Sequence, residues 1–430
     1  MTKNRTSMLK MLLSIALAVI LSLGLALPAF AADDLITWPP GTLKDPAQAG
    51  LTKILKMPEG TITPEAAFQF QFSPISYNGK EDDKSKLPQI GDTNWIVKVD
   101  FKASNNGAEN AGVKTVRMES GNFLEDIKWS QAGVYVYKVK EISGTYANGN
   151  TFAEKMTYSG AEYDLYVYVK QDENSGEYFV YLVGALIVKI DTTDGGKVGE
   201  KVDPTPGGEG ETTKETYSKM IFTNMYLKNN GGEEPEDPED PKKIDEIAVL
   251  KVGKIVDGAF GDKSKEFKFK VTIGNPATIT DTEITGKAYI IDGKSVISGP
   301  LTFTAGTAKD IELKDGQWLA FTDLPVGSSF KVTEKAEVGY TPTAKVKAYK
   351  IDKEYSADQS MSLTIPGESE KATLDDTLSN SALFTNVYKD ITPTGISVDD
   401  LPNIVMIAIA LLALIGFTFI KYRAGAKSNA

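Results

Sequence analysis

The sequence predicts an all-β protein with two tandem β-sandwich domains, and three observations lead to this prediction. Apolar residues alternate with polar ones in many short segments, turn residues punctuate the chain densely, and the two halves share motifs in the same order. Alternation with a period of two is typical of strands that bury one face, whereas helices repeat every 3.6 residues. Many short strands between Gly and Asn turns favour sandwiches.

Alternating segments predict strands in both halves of the chain. The clearest ones cover residues 66–75, 133–142, 163–171, 178–184, 265–273, 299–305 and 329–335. Turn sequences lie between them, such as NGK at 78, ANGN at 147, IDGK at 291 and KDGQ at 314. The stretch 191–215 interrupts the pattern in the first half and is predicted to be a mobile surface excursion.

Both ends of the chain are predicted to be targeting segments. Basic residues, an apolar run and the small residues Ala29 and Ala31 indicate a signal peptide over 1–31. An apolar run over 404–420 with a basic flank is predicted to cross a membrane, which leaves everything before it outside the cell. The chain after residue 390 is therefore predicted to be a C-terminal targeting region, 391–430.

An acidic segment divides the chain between these ends. The stretch KNNGGEEPEDPEDPKKIDE, residues 228–246, is rich in Pro, Gly and acidic residues and cannot bury a core. It is predicted to be an extended linker. The resulting domains are a first sandwich over 32–228, a linker over 229–243 and a second sandwich over 244–390.

The composition argues against several classes of function. The 430 residues include no histidine and no cysteine, which removes the usual nucleophilic machinery and the commonest metal ligand. An exported protein without cysteine has no disulfides, so any covalent reinforcement needs other chemistry. The net charge of -11 disfavours binding to nucleic acid. We expect no enzyme, no cofactor, no metal and no nucleic-acid partner.

Three motifs recur in the same order in both halves. A lysine-bearing strand opens each half, a KVKE or KVTE strand follows, and FTN-X-Tyr closes it at 222–226 and 384–388. A lysine buried in a dry core tends to become a neutral, nucleophilic amine, and a buried glutamate tends to remain protonated. Such a glutamate could activate an asparagine side chain, and the amine would then displace ammonia to leave a Lys–Asn isopeptide bond.

This ordered set resembles the streptococcal-type pilin isopeptide linkage domains of Gram-positive shaft pilins. The resemblance also rests on the block AGVYVYKVKE and on the stretch GKIVDGAFGDKSKEFKF, and it extends over both halves. It implies two immunoglobulin-like (CnaB-like) sandwiches, each with its own reactive set. The implied sets are Lys53, Glu141 and Asn224 in the first domain and Lys254, Glu334 and Asn386 in the second.

The lysines are the open choice in both sets. Alternation places Lys254 on the same strand face as Val252, with Lys251 on the other face. In the first domain Lys53 is preferred, although Lys56 holds the position of Lys254 relative to the next glycine. The sequence therefore leaves Lys56 and Lys251 as alternatives.

The sequence ITPTG, residues 391–395, lies where these pilins carry a sortase signal, although it begins with Ile-Thr-Pro rather than Leu-Pro-X. The resemblance implies cleavage between Thr394 and Gly395 and transfer of Thr394 to a lysine amine of another copy. Lys219 is the preferred polymerisation lysine, and Lys214 and Lys201 are the next candidates.

We therefore expect a structural protein of the cell surface, a pilus shaft subunit polymerised by sortase. Its expected partners are other copies of itself, the sortase, peptidoglycan of the cell wall and minor or tip pilins. The membrane would hold the chain only before sorting. A monomeric wall-anchored adhesin, or the stalk of one, is the alternative, because such proteins use the same sandwiches without polymerising.

Overall fold

A computed structural model of the chain shows two β-sandwich domains in tandem. The structure describes residues 47–147, 154–174, 177–189, 197–207, 209–211, 217–230, 235–278, 284–367, 370–377, 379–388 and 401–426. The predicted signal peptide, 1–31, and the ITPTG sequence lie outside the described residues. The predicted fold class, two tandem all-β sandwiches, is confirmed.

The strands of the first domain form two facing sheets. In chain order they are β1 (Thr52–Pro58), β2 (Ala66–Tyr77), β3 (Ile96–Phe101), β4 (Ala108–Asn110), β5 (Val113–Ser120), β6 (Gly133–Glu141), β7 (Glu154–Thr157), β8 (Glu162–Asn174), β9 (Glu177–Lys189), β10 (Lys201–Val202), β11 (Glu209–Glu211) and β12 (Ile221–Asn230). One sheet has the order β11-β5-β1-β12, with β4 on β5 and β7 on β12, and the other has the order β10-β9-β8-β6-β2-β3. A short 3-10 helix, Glu81–Lys86, lies between β2 and β3.

The second domain repeats this plan with different strands. They are β13 (Leu250–Asp257), β14 (Phe267–Gly274), β15 (Thr285–Ile291), β16 (Val296–Thr304), β17 (Lys309–Leu313), β18 (Trp318–Phe321), β19 (Leu324–Pro325), β20 (Ser329–Glu334), β21 (Tyr340–Ala348), β22 (Ile351–Ser356), β23 (Leu363–Ile365), β24 (Ala372–Thr373) and β25 (Asn380–Tyr388). One sheet has the order β16-β15-β18-β13-β25-β21-β22. The facing sheet has the order β17-β14-β20-β23, with β24 on β20.

In each domain the first and last strands lie side by side and run parallel. Phe222 of β12 lies opposite Lys53 of β1, and Phe384 of β25 lies opposite Lys254 of β13. The predicted asparagine follows two residues after each of these phenylalanines, so the two registers are equivalent. A parallel pair needs a long crossover connection, which the rest of each domain provides. A lysine and an asparagine that are far apart in sequence are thereby brought to neighbouring strands.

Aromatic side chains dominate the core at the centre of both sandwiches. In β2 the buried Phe68, Phe70 and Phe72 alternate with half-buried glutamines, as expected for a strand with one buried face. In β14 the buried Phe267 and Phe269 alternate with exposed lysines in the same way. Complete burial of such a side chain contributes about 1.5–3 kcal/mol. These strands therefore provide an apolar floor beneath the parallel pair.

Part of the segment predicted to be an extended linker is regular structure. Strand β12 continues to Asn230 and pairs there with β19 of the second domain. Helix α1 (Pro241–Ile247) follows, because Asp240 caps the backbone N–H of Lys242 at 2.8 Å and a proline is favourable at the first helical position. Ile244 of α1 packs into a small apolar cluster on the second domain. The extended conformation predicted for 228–246 therefore does not hold at its two ends.

Side-chain contacts also connect the two domains. The Asp376 carboxylate lies 2.6 Å from Lys228 Nζ and accepts a hydrogen bond from the backbone N–H of Ile62 at 3.1 Å. On another side of the contact, Glu109 lies 2.7 Å from Lys350 Nζ. Because Asp376 is almost completely buried, the first of these contacts is sheltered from solvent.

The stretch 191–215, predicted to be a mobile surface excursion, is paired with the sandwich at two points. Strand β10 pairs with β9, and β11 pairs with β5. The buried Glu119 of β5 accepts hydrogen bonds at 2.7 Å from the backbone N–H groups of Gly207 and Ser218. Residues 191–196, 208 and 212–215 lie outside the described residues.

Helix α2 (Leu401–Ala426) contains the predicted membrane segment, 404–420. Its apolar side chains between Ile404 and Phe419 are exposed. Within the described residues, no helix has both the length and the hydropathy needed to cross a membrane. A run of 17 residues gives about 26 Å of helix, which is shorter than a hydrocarbon core of about 30 Å. The prediction of a transmembrane segment is therefore not supported.

Asp164 on β8 provides a test of how the first domain responds to pH. Burial raises the pKa of Asp164 to about 6, against the opposing effect of Lys138. The folded domain thus binds this proton more tightly than the unfolded chain, so the unfolding free energy falls as pH rises from about 4 to about 6. We expect Asp164→Asn to stabilise the first domain on the order of 1 kcal/mol at neutral pH and much less near pH 4. Denaturant unfolding at both pH values measures this, and equal effects would contradict it.

Candidate functional site

A cluster of buried polar side chains lies between the two sheets of the first domain. Lys53 of β1 and Asn224 of β12 are fully buried, and Glu141, the last residue of β6, is 8% exposed. Glu141 bridges the other two, since its Oε2 lies 2.8 Å from Lys53 Nζ and its Oε1 accepts a hydrogen bond from Asn224 Nδ2 at 2.9 Å. The alternative lysine, Lys56, is exposed to solvent.

The second domain contains the equivalent cluster. Lys254, Glu334 and Asn386 are 0–2% exposed, and Glu334 Oε1 lies 2.9 Å from both Lys254 Nζ and Asn386 Nδ2. The lysine–glutamate contact has the distance of an ion pair but not the angles of a hydrogen bond, and Nζ has no hydrogen-bond partner among the described residues. Lys251, the alternative, pairs with Asp245 at 3.1 Å instead.

Phenylalanine rings enclose both clusters in the same arrangement. The equivalent rings are Phe68, Phe70 and Phe222 in the first domain and Phe267, Phe269 and Phe384 in the second. The ring paired across from the glutamate packs on the ring opposite the lysine, with centroids 4.8 Å and 5.2 Å apart. The third ring lies 4.9 Å or 4.3 Å from the lysine amine. Sequence reasoning missed these rings, although the repeated F-X-F and the first letter of FTN point to them.

Burial determines the protonation states in these clusters. It raises the pKa of Glu141 and of Glu334 above the usual range, against the opposing effect of the adjacent lysine. It also lowers the pKa of Lys254 to about 8, although Glu334 opposes this shift. Both directions favour a neutral amine next to a protonated carboxyl group.

The arrangement contains the parts of an acyl-transfer reaction. A neutral amine is a nucleophile, an amide carbon is an electrophile, and a carboxyl group in contact with both can move a proton between them. In each domain the three groups are held in a pocket that the phenylalanine rings close to water. The two clusters therefore have the chemical components for joining a lysine to an asparagine.

Lys219 lies directly before β12 at one end of the first domain. It is half-buried, its Nζ lies 3.6 Å from the centroid of the Tyr217 ring, and its backbone N–H donates to the Asp203 carbonyl at 2.8 Å. Lys201, on β10, is exposed. The remaining predicted residues of polymerisation, Lys214, Thr394 and Gly395, lie outside the described residues.

The strand directions place Lys219 and the C-terminal tail at opposite ends of the two-domain unit. Strands β1 and β12 begin at the end that carries Lys219 and finish at the contact with the second domain, where Pro58 lies against Gly327. Strands β13 and β25 begin near that contact and finish at the far end, where Tyr388 leads into the tail.

The fold and the two clusters define a class of protein, tandem β-sandwiches that each hold a lysine, a glutamate and an asparagine between their first and last strands. Residues 49–227 match the family described as Spy0128-like isopeptide containing domain (FctA), and residues 248–387 match a domain of unknown function (DUF7601). The first domain belongs to the Spy0128-like family. The predicted resemblance to Gram-positive shaft pilins is confirmed by this match and by a curated relative.

That relative is a pilin from Streptococcus pyogenes serotype M1, 25% identical over 229 residues. The match covers 49% of this chain and 62% of the pilin, so the chain spans less than two thirds of its length. Among solved structures, the major pilin from Streptococcus pyogenes is 20% identical, with 80% of this chain and 99% of that chain covered and a TM-score of 0.30. The pilus-presented adhesin Spy0125 (Cpa) is 17% identical, with 51% and 38% covered and a TM-score of 0.22.

Proposed function

We propose that the chain is a pilus shaft subunit in which each domain forms an internal isopeptide bond. The proposed bonds join Lys53 to Asn224 and Lys254 to Asn386, with Glu141 and Glu334 as the proton shuttles. The observation that carries this proposal is the duplicated cluster, in which a buried glutamate lies between a buried lysine and a buried asparagine of neighbouring strands. An ordinary surface role does not account for three ionisable or amide side chains in the dry core of both domains.

The proposed reaction proceeds without any other reagent. The neutral lysine Nζ attacks the asparagine Cγ, and the C=O electron pair moves to Oδ1. The carboxyl group takes a proton from the attacking amine and delivers one to the leaving nitrogen, so that ammonia departs and the C=O bond forms again. Each bond therefore removes one NH₃ from the chain. Holding the groups in contact lowers the barrier by about 7–11 kcal/mol relative to separate reactants.

The rate at which the second bond forms is expected to fall as the pH is lowered below about 8. The pKa of Lys254 is about 8, so acid protonates the nucleophile, while the raised pKa of Glu334 keeps its carboxyl group protonated in the same direction. Between about pH 8 and pH 6 the rate should fall by about tenfold or more. Unbonded chains, trapped in denaturant directly after synthesis and refolded at several pH values, report this rate. A rate independent of pH would contradict a neutral amine as the nucleophile.

The second part of the proposal is covalent assembly at the cell surface. A sortase would cleave between Thr394 and Gly395 and join Thr394 to Lys219 of another copy, and the finished polymer would be attached to peptidoglycan of the cell wall, with minor or tip pilins as further partners. The positions of Lys219 and the tail at opposite ends support head-to-tail joining. The six residues from Tyr388 to Thr394 span at most about 21 Å, so the two ends of successive copies would be close together.

Replacement of the proposed acceptor is expected to abolish the polymer. Lys219→Arg keeps the positive charge but removes the amine nucleophile, so a ladder of SDS-resistant bands in cell-wall extracts should collapse to monomer. Lys201→Arg, at an exposed lysine of the same region, is the matched control and should leave the ladder intact. Loss of the ladder in the control alone would assign the role to Lys201. A single band in the wild type would favour the monomeric adhesin.

A further inference from the structure

The two clusters differ at the carbonyl oxygen of the reactive asparagine. In the first domain, Asn224 Oδ1 accepts a hydrogen bond from the backbone N–H of Ser159 at 2.7 Å. In the second domain, Asn386 Oδ1 has no hydrogen-bond partner within the described part of the chain. The remaining contacts of the two clusters are alike, so this difference separates two sites that otherwise share one design.

The Ser159 contact fixes the orientation of the Asn224 amide group. The nitrogen and oxygen of a side-chain amide are assigned from their partners, and a backbone N–H can only donate. The atom that faces Ser159 is therefore the oxygen, and the nitrogen faces Glu141 Oε1 at 2.9 Å. In this orientation the leaving nitrogen lies next to the acid, and the oxygen that gains charge lies next to a fixed donor.

We propose that the backbone N–H of Ser159 is the oxyanion donor for the bond between Lys53 and Asn224, an inference that rests on the proposed function. Attack of Nζ on Cγ moves the C=O electron pair onto Oδ1, and the negative charge develops 2.7 Å from this N–H. A donor that is already in place stabilises such charge without reorganisation. The C=O bond forms again as ammonia leaves, so the donor is used in both halves of the reaction and is not consumed.

The local chain path explains why this N–H is available. Strand β7 pairs with β12 from Met225 onward and ends at Thr157, so the following residues leave the ladder beside Asn224. The Ser159 side chain accepts the backbone N–H of Ala161 at 3.1 Å, which forms a local turn. This turn directs the Ser159 N–H inward, where it also lies 3.3 Å from the carboxylate that serves the same asparagine.

The second domain has no equivalent turn at this position. Strand β21 continues past Asn386, and the residue paired with Asn386 is Pro342. A proline has no backbone N–H, so the neighbouring strand cannot supply a donor there. The second bond therefore has to form with Glu334 as the described hydrogen-bond partner of the Asn386 side chain.

The test measures how fast each bond forms in the full chain. Pulse-labelled chains from cell-free synthesis are quenched in acid denaturant at successive times and digested, and the two crosslinked peptides are quantified. Ser159→Pro removes the N–H, and we expect the first bond to form about 100-fold more slowly. The second bond in the same molecules is the internal reference and should form at the wild-type rate. Ser159→Ala keeps the N–H and should remain within a few-fold of the wild type.

A second variant covers the case in which proline disturbs the fold. The α-hydroxy acid analogue of serine at position 159 replaces the N–H with an ester oxygen and keeps the side chain, so it should slow the first bond to a similar extent. Limited proteolysis, with Asn224→Ala as the unbonded reference, shows whether the domain folds. First-bond formation at the wild-type rate in the ester variant overturns the role of Ser159 and leaves the proposed function intact. Absence of both crosslinks in the wild type overturns the proposed function itself.

Discussion

The wild-type chain is expected to be lighter than its sequence by two ammonia molecules, about 34 Da, because each domain loses one NH₃ when its bond forms. Glu141→Ala should restore about 17 Da by preventing the first bond, and Glu334→Ala should restore about 17 Da by preventing the second. The effect should be confined to one domain each, because each glutamate contacts the lysine and asparagine of its own domain. Intact-mass spectrometry of the purified chain, followed by peptide mapping, measures both changes.

Glu119 offers a matched control for these substitutions. It is as deeply buried as Glu141, at 4% exposed, and its carboxylate is also fully engaged. Its partners, however, are the hydroxyl of Thr52 and the backbone N–H groups of Ser218 and Gly207. Glu119→Ala should therefore destabilise the first domain without changing the mass deficit. A wild-type mass equal to that of the sequence, or a deficit lost equally in Glu119→Ala, would reject the assigned chemistry.

Removal of a bond is expected to lower the unfolding free energy of its own domain by about 5 kcal/mol. Lys53 and Asn224 are 171 residues apart and Lys254 and Asn386 are 132 residues apart, so each bond closes a long loop in the unfolded chain. The chain-entropy relation for crosslinks gives nearly the same value for both lengths, because it depends only on the logarithm of loop length. Asn224→Ala and Asn386→Ala should lower the melting temperature of the affected domain by about 10–20 °C.

Asn380 is the matched control for this second prediction. It is buried on the same strand as Asn386, but its amide donates to the backbone carbonyls of Val249 and Thr377 and has no lysine or glutamate beside it. Asn380→Ala should cost only the few kcal/mol of lost hydrogen bonds and should keep the mass deficit. Calorimetry resolves the two domains as separate transitions. A smaller loss in Asn386→Ala than in Asn380→Ala would contradict a stabilising crosslink.

The strands and the two clusters could be predicted because both leave local traces in the sequence. Period-two alternation identified β2, β6, β14 and β20, since a strand with one buried face has to alternate. The lysine of the second cluster followed from the same rule, which placed Lys254 on the face of Val252. In the first domain the rule left Lys56 open, and the burial of Lys53 in the structure favours the other lysine.

Other features depend on contacts that sequence periodicity does not encode. The Ser159 N–H is a backbone group, so no residue type at that position announces its contact with Asn224. The ordered ends of the acidic segment depend on a partner strand, β19, and on an apolar patch for Ile244, both of which belong to the second domain. Composition alone favoured an extended chain there, because it counts the residues of the segment and ignores what lies beside it.

The parallel pairing of first and last strands has a mechanical consequence for a filament under tension. With both bonds formed, a pull that enters β1 leaves through the neighbouring strand β12, and the 171 residues between Lys53 and Asn224 are never stretched. The chain between the two bonds, from Asn224 to Lys254, has 30 residues and could be drawn out to at most about 100 Å. The extensibility of the fibre would then reside in the joints between sandwiches, like short springs between inextensible rods.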